Sequence, residues 1–159
     1  VIFRMEDYQW LIAGVNNLPE GLYSGVTDSA QVVCDKTYDL LNVAEIAIVA
    51  SGTATLETAL FRVPQVVVYR TSFVTAIAFK LLANLEFVSL ANFVAGKYVV
   101  PELLQYEFTS DKLYEELIKV SEGQGRDSIL RVYDEIIEKV GPSGTSSTSA
   151  EVISTVLTN

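Results

Sequence analysis

Histidine is absent from the chain. That excludes Ser-His-Asp catalysis, histidine metal sites and a histidine general base within these residues. Cysteine occurs once, at Cys34, so neither a disulfide framework nor a thiolate metal cluster can form, and a reducing compartment is expected. Cations are scarce: 11 Lys and Arg stand against 20 Asp and Glu, for a formal net charge of −9. Neutralising nucleic-acid phosphates needs a basic face, so nucleic acid is not expected as a partner. Wholesale adhesion to an anionic membrane is disfavoured on the same ground, although Arg70 and Lys97 remain able to meet a single phosphate. Long apolar runs are missing as well. The most apolar stretch, "TSFVTAIAFKLLANLEFVSLANFVAG", is broken by Lys80, Asn84 and Glu86 before reaching about 18 residues, so no membrane span is expected. Arg4, Glu6 and Asp7 interrupt the apolar start, against a signal peptide. A start at Val1 suggests a piece of a longer protein.

What is present suits a core. Half of the 159 residues are hydrophobic, enough for one domain. "WLIAGV", "AQVVCD", "EIAIVA", "QVVVYR" and "FVSLA" read as strands, the apolar runs among them as buried ones. Between them lie helical patterns. Pro19 suits the first turn of a short helix toward Tyr23, "TYDLLNVA" has Thr37 as an expected N-cap, and Pro64 should end the helix after "ASGT". "FVTAIAFKLLA" reads as helical, more simply a core helix than a membrane-surface one, since Lys80 is its lone cation. "PELLQ" is expected to start a helix with Pro101 in its first turn, and "TSDKLYEELIKV" another capped by Ser110 or Asp111. "RDSILRVYDEIIEKV" carries an apolar stripe through Ile129, Leu130, Val132, Tyr133, Ile136, Ile137 and Val140.

Alternation of strand and helix, with continuously apolar strands, predicts an α/β fold. We expect a Rossmann-like, doubly wound parallel sheet of about five strands with about six helices. Three regions follow: a domain over 1–140, a Gly/Ser/Thr linker over 141–150 and a tail helix over 151–159. The tail places Val152, Ile153, Val156 and Leu157 on one face. Sheets of this class bind ligands beyond the carboxyl ends of their strands, which singles out loops 14–17, 34–37, 50–53, 70–73 and 91–96.

The most informative of these is "ASGTATLETA". A helix mouth offers unpaired N–H groups and partial positive charge, Gly52 permits close approach, and Ser51, Thr53 and Thr55 add hydroxyls. Two readings stay open: a phosphate site, or ordinary capping by Ser or Thr. Glu57 lies at i+4 from Thr53 and at the wrong spacing for a capping box. It can accept two ribose hydroxyls, or simply sit favourably against the helix dipole. Asn92 in "SLAN" reads as a turn-forming residue, Gln105 in "PELLQ" as a solvated helix position, and Glu102 as a helix-start acid or a functional one.

The blocks "ASGTATLETALFRVPQVVVYR" and "VSLANFVAGKYVVPELLQYEFTSDKL", in that order, resemble the second half of lipid-A-disaccharide synthases. The resemblance runs from about "DYQWLIAGV" through the C-terminal helices. It implies an inverting glycosyltransferase of GT-B architecture, a hexosyltransferase joining UDP-2,3-diacylglucosamine to lipid X. The products are UDP and lipid A disaccharide 1-phosphate, in lipopolysaccharide biosynthesis. It implies that Ser51, Gly52 and Thr53 meet the diphosphate, that Glu57 faces the ribose, and that Asn92 and Gln105 lie near the nucleotide sugar. It further implies no cofactor or metal, and a catalytic base outside this chain. A first strand, a glycine-rich loop with a functional arginine and an N-terminal domain are expected elsewhere. A homodimer with exchanged C-terminal elements and a cytoplasmic location, peripheral at the inner membrane, follow too. Ala91 stands where the family usually has proline, and Tyr98 where it is commonly acidic. The alternatives are a non-catalytic Rossmann-like interaction module, or another UDP-sugar transferase or epimerase of the same architecture.

Overall fold

The computed structural model describes residues 1, 4–18, 20–23, 25, 29–70, 87–141, 150 and 153–155. Its elements run in chain order as β1 (Leu11–Gly14), a 3-10 turn (Glu20–Leu22), β2 (Gln31–Cys34), α1 (Thr37–Val43), β3 (Ala47–Ala50), α2 (Thr53–Leu60) and β4 (Gln65–Tyr69). There follow α3 (Leu90–Ala95), β5 (Glu102–Leu104), a second 3-10 turn (Gln105–Glu107), α4 (Ser110–Ser121) and α5 (Gly123–Val140).

All strand pairings are parallel, which bears out the α/β reading. The described strands form two ladders rather than one: β1 with β2, and β3-β4-β5 in that order. The helix connecting β2 to β3, α1, packs against β1. β1 therefore lies on the β3 side of β2, and no hydrogen-bond ladder joins it to β3.

The core is centred on β4. Gln65, Val66 and Val67 are all fully buried, so both faces of this strand are covered, as a central parallel strand requires. Helix α2 packs against β3 and β4, α4 against β4, and α5 against α2, α3 and α4. The stripe of α5 buries Ile129, Tyr133 and Ile136, at i, i+4 and i+7, and α4 buries Leu113, Leu117 and Val120 with the same spacing. Burying each large apolar side chain of this kind contributes about 1.5–3 kcal/mol. Inside, the Gln65 amide donates to the Thr55 carbonyl (2.9 Å) and to the Tyr133 hydroxyl (3.0 Å), tying β4 to α2 and α5.

Five local expectations are corrected. "FVSLA" is not a strand: Ser89 caps α3, its hydroxyl accepting from the Asn92 N–H (3.1 Å). "PELLQ" is not a helix start but β5, because the Pro101 carbonyl and the residues after it continue the ladder to β4. Proline at the beginning of a strand sacrifices no ladder donor. Helix α4 is capped by Thr109, which has extended backbone and accepts from the Lys112 N–H, whereas Ser110 is already helical. Lys36, not Thr37, holds the cap position of α1, because the left-handed Asp35 turns the chain one residue earlier. At α2 the cap position is Gly52, and no described side chain caps that helix.

Helix α2 stops at Leu60, ahead of Pro64 as expected, with Arg62 in left-handed conformation between them. The helix read from "FVTAIAFKLLA", Pro19 itself and linker residues 142–149 lie outside the described residues. Of the tail, Ala150 and residues 153–155 are helical, and Val152, Val156 and Leu157 lie outside the description.

Candidate functional site

Three chain segments meet the carboxyl edge of the β3-β4-β5 ladder: 51–53 after β3, Arg70 after β4 and Gln105 after β5. A fourth, 88–92, is tied to the first, since the Ser51 hydroxyl donates to the Val88 carbonyl (2.8 Å). Gly52 sits at the mouth of α2 with φ 146°, a backbone that disfavours any side chain, in otherwise open space. Capping by a hydroxyl, one of the two readings of this motif, is thereby removed. Among the described residues no side chain satisfies the N–H groups at this mouth, which is also the positive end of an eight-residue helix.

The hydroxyls of the motif divide. Thr53 is exposed at the first helical position. Thr55 is completely buried and faces inward: its hydroxyl donates to the Gly52 carbonyl (2.8 Å) and accepts from the Leu90 N–H (3.0 Å). Its expected place among the ligand-facing hydroxyls is corrected accordingly. Ser51 commits its N–H to the Val68 carbonyl (3.1 Å) and its O–H to Val88, so in this arrangement both its donors are engaged. Glu57 is half-buried one turn into α2, and its carboxylate pairs with no described residue. Thr53 and Glu57 share a helix face.

Asn92 is neither turn-forming nor exposed. It lies within α3 at 0% exposure. Its Nδ2 donates to the Val100 carbonyl (3.0 Å) and to Glu102 Oε1 (2.8 Å), while its Oδ1 accepts from the N–H groups of Val99 and Val100 (2.8 and 2.9 Å). Both ends of the amide are saturated from within the chain. Gln105 is half-buried and takes a left-handed φ of 51° as β5 ends, which puts it at the sheet edge rather than on a solvated helix. Arg70 is exposed, while Lys97 is paired with Glu135 at 2.9 Å.

Sequence reasoning left open what Glu102 does. It is buried, and its carboxylate accepts from the Val88 and Ser89 N–H groups and the Asn92 amide. Tyr98 accepts the Glu102 N–H on its hydroxyl (2.8 Å). Partial burial raises the Tyr98 pKa, the backbone hydrogen bond opposes that, and nearby Glu102, Glu116 and Glu107 raise it further. Among the described residues no group of three or more Cys, Asp or Glu is arranged to hold a metal ion. Nor is any described helix long and apolar enough to cross a membrane. An open depression lined by Gln124, Gly125, Asp127, Ser128 and Arg131 lies at the start of α5. Arg126 there donates to the Glu45 carbonyl (2.8 Å), which marks the amino side of β3, away from the candidate edge.

A family model described as lipid-A-disaccharide synthetase matches residues 23–155. The chain belongs to that family. A lipid-A-disaccharide synthase of Myxococcus xanthus is 39% identical over 131 residues, covering 82% of this chain and 34% of that protein. One of Dechloromonas aromatica is 40% identical over 99 residues, covering 62% of this chain and 26% of its own length. One of Geobacter sulfurreducens is 30% identical over 155 residues, covering 94% of this chain and 40% of its own. The chain thus spans about a third of the length of the curated relatives it matches. Family membership bears out the resemblance carried by "ASGTATLETA", "SLAN" and "PELLQ".

Proposed function

We propose that this chain is the donor-binding part of a lipid-A-disaccharide synthase, a hexosyltransferase that joins UDP-2,3-diacylglucosamine to lipid X and releases UDP. The observation that carries the reading is the mouth of α2, where Gly52, at φ 146°, leaves helix N–H groups open to an anion at the carboxyl edge of a parallel sheet. In this reading Gly52 and Thr53 hold the diphosphate and Glu57 accepts the ribose hydroxyls. Gln105 and Arg70 border the nucleotide sugar from the neighbouring strand ends. Ser51 and Asn92 keep that edge in shape, and Ser51 reaches the phosphate only by releasing Val88.

As the acceptor hydroxyl attacks the anomeric carbon, negative charge accumulates on the departing diphosphate. Fixed N–H donors at a helix mouth stabilise charge that develops there without reorganising. The base that takes the acceptor proton belongs, in this reading, to the rest of the protein. A further parallel strand with its glycine-rich loop, implied by the family resemblance, belongs in this reading between β1 and β3, which no described ladder joins. Both sugar substrates are lipids, so the whole protein works at a membrane surface, for which we propose the cytoplasmic face. Exchange of C-terminal elements between two protomers belongs to the same proposal.

Titration calorimetry with UDP tests the reading. Weak binding is expected, with a Kd on the order of 1 mM, equivalent to about −4 kcal/mol. Glu57→Ala should abolish the heat while leaving the fold intact. No heat and no thermal protection at millimolar UDP would sink the proposal and leave a non-catalytic interaction module.

A further inference from the structure

Glu102 is 7% exposed, and among the described residues no lysine or arginine pairs with it. A buried carboxylate without a counterion is costly unless N–H donors surround it. Here the donors are the Val88 N–H (3.1 Å), the Ser89 N–H (2.9 Å) and the Asn92 amide (2.8 Å). Val88 and Ser89 belong to the turn that enters α3, and Asn92 to the first turn of that helix. The opposite side of that turn is held by Thr55 of α2 and by Ser51, two residues ahead of the helix. Ser51 donates to the Val88 carbonyl, and Thr55 accepts from the Leu90 N–H while donating to the Gly52 carbonyl. Residues 88–90 are therefore gripped between the first residue of β5 and the mouth of α2, and the same hydroxyl that receives Leu90 fixes the backbone of Gly52.

We propose that Glu102 is a positioning residue: its carboxylate sets the turn at residues 88–90 and, through Thr55 and Ser51, the backbone of Gly52. Its importance for donor binding rests on the reading of the α2 mouth given above. Its mechanical part does not. Hydrogen bonds to a charged acceptor are roughly twice as strong as neutral ones, so a neutral, isosteric replacement loosens the turn without emptying the space.

Amide hydrogen exchange by NMR on the 159-residue chain, without ligand, tests this. In Glu102→Gln the Val88 and Ser89 amides should exchange about tenfold faster or more, and the Gly52 and Thr53 amide resonances should shift. Leu117 and Tyr133, deep in the core, should keep their protection. Thr55→Val should reproduce the Gly52 shift and Thr55→Ser should restore the parent spectrum. Unchanged exchange at Val88 and Ser89, unmoved Gly52 and Thr53 resonances, or a uniform rise that includes Leu117 and Tyr133 would overturn the proposal. Should Glu102→Gln not fold, Ser51→Ala reads the same path from the other side. Faster exchange at Ser89, which Ser51 does not touch, is then expected, and its absence would overturn the coupling. UDP titration follows as a separate arm. A parent chain that ignores UDP refutes the donor reading alone, while a parent that binds it should lose roughly tenfold or more in affinity on Glu102→Gln, the same weakened charge-assisted bonds being responsible.

Discussion

Two polar residues near the carboxyl edge differ in what they are tied to, and that difference is measurable. Asn92 saturates its amide within the chain and is wholly buried. Asn92→Leu keeps most of the volume but leaves the Val99 and Val100 N–H groups without their acceptor and takes one donor from Glu102. Unsatisfied buried groups cost about 1–3 kcal/mol each, so a loss of about 2–4 kcal/mol is expected. In urea denaturation the midpoint should fall with little change in slope. Glu57 has no such ties, and Glu57→Ala should change stability by less than about 0.5 kcal/mol. If the two variants proved equally costly, Glu57 would be a strut and its assignment to the ribose would fail. Gly52→Ala is a third case. The added methyl meets open space, but φ 146° imposes backbone strain of about 1–3 kcal/mol, read as a lower melting temperature.

At the scale of elements, packing and local bonding decide where periodicity is ambiguous. The stripe of α5 was legible because Ile129, Tyr133 and Ile136 recur at helical spacing and face the core. The β-branched run of β4 was legible because a strand buried on both faces has few other compositions available. "FVSLA" and "PELLQ" were exchanged in type for one shared reason. Both are short, and their identity is set by Glu102, 13 residues downstream of Ser89, whose carboxylate takes the N–H groups that a strand at 88–89 would give to a ladder. No local pattern in the sequence announces that bond. The candidate site divides in the same way. The Ser-Gly-Thr turn and Glu57 were visible as a motif, whereas the inward aim of Thr55 depends on Leu90 at the start of α3, and the stretch "FVSLA" that leads into it has the pattern of a strand followed by a loop. Ile136→Ala, at a fully buried position in that legible stripe, should cost about 2–5 kcal/mol by cavity formation. Thermal unfolding of the variant checks the magnitude, and a cost near zero would mean that α5 is not seated on α2, α3 and α4 as described.

For the whole molecule, pH acts on a chain that already carries a net charge of −9. Tyr133 is completely buried, and burial pushes its pKa up, a shift that the hydrogen bond from Gln65 only partly offsets. Tyr98 is shifted in the same direction, by partial burial and by the nearby carboxylates. A tyrosine whose folded pKa is raised stays neutral in the native state while the unfolded chain ionises it near its ordinary value of 10. The unfolded state then binds fewer protons, so stability falls as pH rises. For the buried Tyr133 the contribution is intact below about pH 10 and is lost progressively above it, with a limiting slope of about 1.4 kcal/mol per pH unit. Tyr98, 63% exposed, adds little because solvent screens its charge. Denaturant unfolding at a series of pH values from neutral to strongly alkaline should show that decline, with tyrosinate absorbance rising together with unfolding. Tyr133→Phe removes the ionisable hydroxyl but leaves the Gln65 amide its bond to Thr55. It should cost about 1 kcal/mol at neutral pH and then lose stability less steeply than the parent in alkali. Parallel curves for parent and variant would refute the assignment, because the alkaline sensitivity would then come from surface charge repulsion alone.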